Sequence, residues 1–432
     1  MESSYSYAHL TDKLPDELLA EIFEHYVHVS PFTLHTLPIA GMQQLHSLLT
    51  LTSVSSRWRN AAIGASILWK WIVIAAHVVD RGADIGRSII EAFLIRSRNR
   101  PISIFLSPPL DNFTNHEVFM QVYELVIPHL WRCDGFGCNQ LGNAITPLLF
   151  PLIGPMPRLN ALVLLGDTTI FDLSPITVFT EPSSLGALRS VMIIGVPIAP
   201  ILDNSIDFLS INLKNTSPTW VMPLIASSTT ITLLGLTSPN MLGNPPPARI
   251  ALPALKTLHH QYYTVSPFFE VPLLEELHWS CASFTATPSD GDVNFPSLKK
   301  LQIWRPFPYH DEGPPRKKLD FPQLTELVLG NAVEPSTALR ALLLPNTLDP
   351  NMNSPNRATP VALPYPALQS VVLKRTGEED LDVLYGVLAA VLELYPNVKL
   401  TYDPHQTFPN GDEEFWGRIR TAFCARVLRG DG

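Results

Sequence analysis

A phrase of eight residues, Pro-x-Leu-x-x-Leu-x-Leu, returns throughout the chain beyond residue 150, and no other feature narrows the possible folds as far. It is clearest as Phe295-Pro296-Ser297-Leu298-Lys299-Lys300-Leu301-Gln302-Ile303, and the run from Phe321 to Leu329 repeats it. Further copies span Pro157 to Leu164, Pro253 to His260, Pro272 to Trp279 and Pro366 to Leu373, with weaker ones beginning at Leu188, Ile206 and Ile231. Most copies start 18 to 29 residues after the one before. A strand this short can bury its inward leucines only against a neighbouring copy. The spacing therefore predicts a stack, with one strand per copy joined into a parallel sheet and the intervening segments returning over one side. Proline at the head of each copy is expected to stop the preceding segment and to stand at a first strand residue, where its missing N–H is tolerated. That use helps explain the 41 prolines, nearly twice the ordinary share of about 5%.

The phrase and its period resemble leucine-rich repeats. No Asn or Cys follows the last Leu at a regular distance to bond the turn, so the resemblance implies an irregular solenoid over residues 151–400. One gap of 44 residues carries a Pro/Asn-rich stretch from Pro345 to Pro366, expected as an exposed loop. Leu381, Leu384, Leu388, Val391 and Leu392 predict a helix. Phe415, Ile419, Phe423 and Val427 predict another over 410–429, with Glu413-Glu414 at its start and Arg426 and Arg429 at its end, as the helix dipole prefers. Such a helix would cap the open edge of the stack. Residues 75–150 read as a linking segment. Ile85, Ile89 and Phe93 mark a helix ending near Arg96, Ile102 to Leu106 alternate as a strand, and Phe119, Val122 and Val126 lie on a helix stopped by Pro128.

The N-terminal part is different. Leu14-Pro15-Asp16-Glu17-Leu18-Leu19-Ala20-Glu21-Ile22-Phe23 opens a helix with acids in the first turn and apolar residues at i, i+4. Leu45, Leu48 and Leu49 lead a second helical pattern through Val54-Ser55-Ser56-Arg57-Trp58-Arg59, and Ser66-Ile67-Leu68-Trp69-Lys70-Trp71 forms a third. Three helices this apolar cannot all face a private core in some sixty residues, so part of the surface is expected to meet a partner. The order Leu-Pro, Leu-Leu-x-x-Ile-Phe, Val-Ser-x-x-Trp-Arg, Leu-Trp resembles an F-box over residues 12–74, with Val27 to Gln43 as a long connection.

The fold class expected for the whole is α/β: a three-helix F-box-like module at 12–74, then a leucine-rich-repeat-like solenoid over 75–432. The resemblance implies a substrate-recognition subunit of a Skp–cullin–F-box ubiquitin ligase. Leu14, Pro15, Leu18, Ile22, Val54, Trp58 and Leu68 would dock a Skp-type adaptor, and through it a cullin. The repeats would capture a target protein. The alternative is a repeat-based interaction scaffold whose F-box is vestigial or non-degradative.

Composition and motif content lead to the expectation of a binding protein. Apolar residues make up 46% and charged ones 16%, the balance of a folded chain. A net charge of −9 argues against nucleic acid as partner. Apolar runs are cut before membrane-spanning length, and no signal peptide is discerned, so a cytoplasmic or nuclear setting is expected. Cys133, Cys138, Cys281 and Cys424 fit neither a disulfide framework nor a zinc site. No phosphate loop, nucleophile elbow or His-Glu-x-x-His occurs, so neither catalysis nor a cofactor or metal is expected. In the strands, alternation places Thr257, His259 and Gln261 beside Glu276, His278 and Ser280, then Lys300, Gln302 and Trp304, all pointing away from the leucines. His259, His278, Gln302 and above all Trp304 are the expected target-binding residues.

Overall fold

A computed structural model describes residues 13–27, 37–75, 82–107, 113–141, 155–166, 176–178, 188–195, 198–200, 206–212, 221–236, 249–260, 269–279, 295–303, 321–330, 335–343, 365–373 and 381–402. The chain falls into two compact units, residues 1–213 and 214–432, each α/β around parallel strands. The helix expected over 410–429, Trp304, and nearly all of the Pro345–Pro366 stretch lie outside the described residues.

The first unit opens with α1 (Asp16–Val27), α2 (Leu37–Val54), α3 (Ser56–Gly64) and a 3-10 turn over Ser66–Trp69. Pro15 stands immediately before α1, and its carbonyl accepts from Leu19 N–H at 3.1 Å. The sequence pattern predicts one helix from Leu45 through Trp58, whereas the structure has two. Ser55 adopts extended backbone and its hydroxyl accepts from Trp58 N–H at 3.1 Å, so a serine cap restarts the chain as α3. The module then runs directly into the sheet through β1 (Trp71–Ala75).

Crossovers follow: α4 (Ala83–Arg96) leads to β2 (Ile102–Ser107), and α5 (Phe113–Glu124) with a 3-10 turn at Ile127–Arg132 leads to β3 (Cys133–Leu141). Pro128 lies in that 3-10 turn and does not end the helix, which has stopped at Glu124. The strand expected to alternate over 102–106 spans Ile102–Ser107, and all six of its residues are buried, because both faces are covered. On one face Ile104 and Leu106 join Ile72 and Ile74. On the other, Phe105 stacks on Trp71 at 5.6 Å and packs with Val73 and Val163. A Cβ on Gly137 would lie 2.3 Å from the Phe105 ring, so the bare glycine of β3 lets that ring lie flat. Arg132, 1% exposed, donates to the carbonyls of Arg98, Arg100 and Leu94 and to Ser97 Oγ, and so holds the turn between α4 and β2. The unit continues with β4 (Ala161–Gly166), β5 (Ile176–Val178), β6 (Ser190–Ile194), β7 (Ile198–Pro200) and β8 (Phe208–Asn212). Its sheet runs β1-β2-β3-β4-β6-β8, and β5 pairs with β7 apart from it.

The second unit contains α6 (Val221–Ser227), β9 (Leu233–Leu236), β10 (Ile250–Ala251), β11 (Thr257–His260), β12 (Phe269–Glu270), β13 (Glu276–Trp279), β14 (Lys300–Ile303) and β15 (Glu326–Leu329). Next come α7 (Pro335–Leu343), β16 (Ser370–Leu373), α8 (Leu381–Leu394) and β17 (Lys399–Tyr402). Its sheet is ordered β9-β11-β13-β14-β15-β16-β17, with β10 and β12 forming a separate pair. Leu234, Leu258, Leu277, Leu301, Leu327 and Val371 stand in register, buried on one face.

Each strong copy of the phrase has the same local geometry, and it corrects the role expected of proline. Phe295 C=O accepts from Leu298 N–H at 3.1 Å, with Pro296 at the second position of a four-residue turn. The same bond closes Met156–Leu159, Leu252–Leu255, Val271–Leu274, Phe321–Leu324 and Tyr365–Leu368. Proline therefore presets φ inside a turn several residues before the strand and is not itself a strand residue. The residue ahead of it is an inward anchor: Phe321 stacks on Phe295 at 6.1 Å and on Tyr365 at 6.0 Å. At the residue just after the turn, one carbonyl receives two donors from the next copy, as Glu275 C=O does from Lys299 and Lys300 N–H. The sequence reading missed a copy, Tyr395-Pro396-Asn397-Val398, whose Val398 N–H donates to Tyr395 C=O at 3.1 Å.

Candidate docking surfaces

Helix α1 is apolar on two sides. Leu19, Phe23 and Val27, at i, i+4, i+8, are buried against the other helices. Leu18, Ile22 and Tyr26 repeat that spacing one residue earlier and remain 44%, 49% and 56% exposed. Tyr26 was not singled out from sequence, although it continues the Leu18–Ile22 row by one more turn. The start of the helix is pinned from α3. Arg57 reaches Asp16 Oδ1 from both Nε (3.2 Å) and Nη2 (3.1 Å) and also donates to the Leu14 carbonyl. Leu14 is half-buried, and Pro15 is exposed beside the stripe.

The remaining residues expected at an adaptor contact divide. Val54 is 56% exposed at the end of α2. Trp58 is half-buried, its ring 4.9 Å from that of Phe23, so part of it packs under α1 while the rest stays in water. Leu68 is 3% exposed, so its expected role as a partner contact is corrected. The tight 3-10 turn carries both Leu68 and Trp69 inward, where Trp69 Nε1 donates to Ala62 C=O at 2.9 Å.

In the second unit the pairing register is as the alternation predicts: Thr257 opposite Glu276 opposite Lys300, and His259 opposite His278 opposite Gln302. The two imidazoles stack at 3.9 Å, 13° from parallel, and His278 Nε2 lies 3.5 Å from Glu276 Oε2. Burial, and secondarily the neighbouring His278, push the His259 pKa down to about 4, against a smaller upward pull from Glu276. Lys300 pairs with Glu326 at 3.5 Å in the next column. Gln302 faces the expected side but is only 5% exposed, and Val328 beside it is 2% exposed. Gln302 is therefore not an accessible contact, because this face is covered at β14 and β15 even though alternation turns it away from the leucines. Among the described residues, no cluster of side chains suited to a metal occurs, and no helix is long and apolar enough to cross a membrane.

Compared with known protein families, curated proteins and solved structures, the chain matches none of them.

Proposed function

We propose that this chain is the substrate-recognition subunit of a Skp–cullin–F-box ubiquitin ligase, docking the adaptor through α1 and holding a target with its stacked strands. The observation that carries the reading is the second apolar face of α1, with Leu18, Ile22 and Tyr26 left about half in water beside the pinned Leu14-Pro15 start. Completing the burial of each of these side chains is worth on the order of 1 kcal/mol, a driving force that the chain itself leaves unused. The target would meet the sheet face bearing Thr257, His259, Glu276 and His278.

Co-purification of a Skp-type adaptor and a cullin with the intact chain tests the proposal. Ile22→Glu, and separately the pair Leu14→Ala and Pro15→Ala, are expected to lower adaptor recovery at least about tenfold, the equivalent of ~1.4 kcal/mol. The melting temperature should hold for Ile22→Glu, since that side chain lies half in solvent. Undiminished adaptor recovery from both variants would sink the reading. Adaptor recovery without cullin would point instead to a non-degradative scaffold.

A further inference from the structure

Among the described residues, a second unfilled surface lies between α2 and α4, apart from the α1 stripe. It is an apolar groove of about 400 Å³ with Trp69 and Phe93 on its floor. Each wall is a helix presenting a row at i, i+4, i+7: Leu45, Leu49 and Thr52 from α2, and Ile85, Ile89 and Ala92 from α4. Leu49 and Ile85, one on each wall, remain 56% and 51% exposed. Two such rows across a trough form the seat into which the side-chain ridge of a third helix fits.

The charges at the groove select the occupant and its direction. Asp84 lines it at the first turn of α4, and Arg96 lines it at the last. Twelve residues of helix place them about 18 Å apart along the axis. Helices commonly carry acids in the first turn and bases in the last, where the dipole favours them. Only a helix antiparallel to α4 would bring its acidic start to Arg96 and its basic end to Asp84. We propose that the groove binds an amphipathic helix of a partner protein, antiparallel to α4, with apolar residues at i, i+4, i+7, acids in its first turn and bases in its last. This proposal does not depend on adaptor docking by α1.

The test uses the full chain and two fluorescein-labelled, alanine-rich helical peptides with leucines at i, i+4, i+7, followed by fluorescence anisotropy. One peptide has glutamates in the first turn and lysines in the last, and the other has these charges exchanged. The first is expected to bind about tenfold tighter than the second. Asp84→Lys with Arg96→Glu should invert the preference, and Asp84→Lys alone, at an exposed position, should remove most of it. Ile85→Glu should abolish binding with an unchanged circular-dichroism spectrum, while Ile22→Glu on α1 should leave it intact. Equal affinity for the two peptides, no saturable binding, or binding that survives Ile85→Glu overturns the proposal. So does a chain that is dimeric on its own and becomes monomeric with Ile85→Glu, because the groove would then be covered by a second copy.

Discussion

Two single residues show how far chemistry at one position depends on what its neighbours do. His259 is depressed to a pKa of about 4 in the folded chain, against an ordinary value of 6.5. The unfolded chain therefore binds more protons between those limits, and stability present above pH 6.5 is lost as pH falls toward 4. His259→Gln should flatten that part of the curve, read as the urea midpoint against pH; an unchanged acid slope would show that other groups set it. At Gly137 the constraint is space. Gly137→Ala places a methyl 2.3 Å from a ring that is already held against Trp71, and overpacking of this kind costs about 1–3 kcal/mol. Chemical denaturation measures the loss, and Gly64→Ala, with nothing near its Cβ position, is the matched control that should show none.

At the scale of the element, each repeat is a turn, an anchor and a strand, and its residues differ sharply in what they hold. Leu301 and Leu327 are 0% exposed in successive strands, so truncation to Ala should cost about 2–5 kcal/mol each through lost burial and the cavity left behind. Lys299, two residues before Leu301 but on the surface, pairs with Glu275 at 3.2 Å in solvent, where such a pair contributes little. Lys299→Ala should change the denaturation midpoint barely at all. Equal losses at the three positions would mean that the inward and outward assignments are wrong. The same logic separates the two faces of α1: Phe23 belongs to the core with Trp58 on it, whereas Ile22, its neighbour in sequence, lies half in water.

For the molecule as a whole, parallel strands with one copy per strand make stability a matter of neighbours. Leu301 touches in register only Leu277 and Leu327, so a defect there reaches the rest of the second unit through those strands. Hydrogen exchange of Leu301→Ala should accordingly lose protection first in Glu276–Trp279 and Glu326–Leu329, and later in Ser370–Leu373. Simultaneous, equal loss from β9 to β17 would show that the unit opens as one body. Helical crossovers link β1 to β2 and β2 to β3 in the first unit, and α7 and α8 link β15 to β16 and β16 to β17 in the second.

What the sequence determined by itself was whatever depends on local periodicity. The spacing of Leu298, Leu301 and Ile303, copied at Leu324, Leu327 and Leu329, was enough to place short parallel strands and their buried face. The i, i+4 rows were enough for α1, α4 and α8. Those patterns are readable because each is set by the geometry of a single element. The tertiary structure alone decided the rest. It turned proline from a strand residue into the second residue of a β-turn, behind a buried anchor that is Met156, Leu252 or Val271 in some copies and one of the stacked rings Phe295, Phe321 and Tyr365 in others. It split the Leu45–Trp58 pattern at Ser55, where capping and the packing of Trp58 on Phe23 outweigh a continuous apolar row. It buried Leu68 and Gln302, and left Tyr26, Leu49 and Ile85 in water. Alternation says which face a side chain occupies, but exposure is set by what the fold lays over that face, and one strand's sequence does not carry that information.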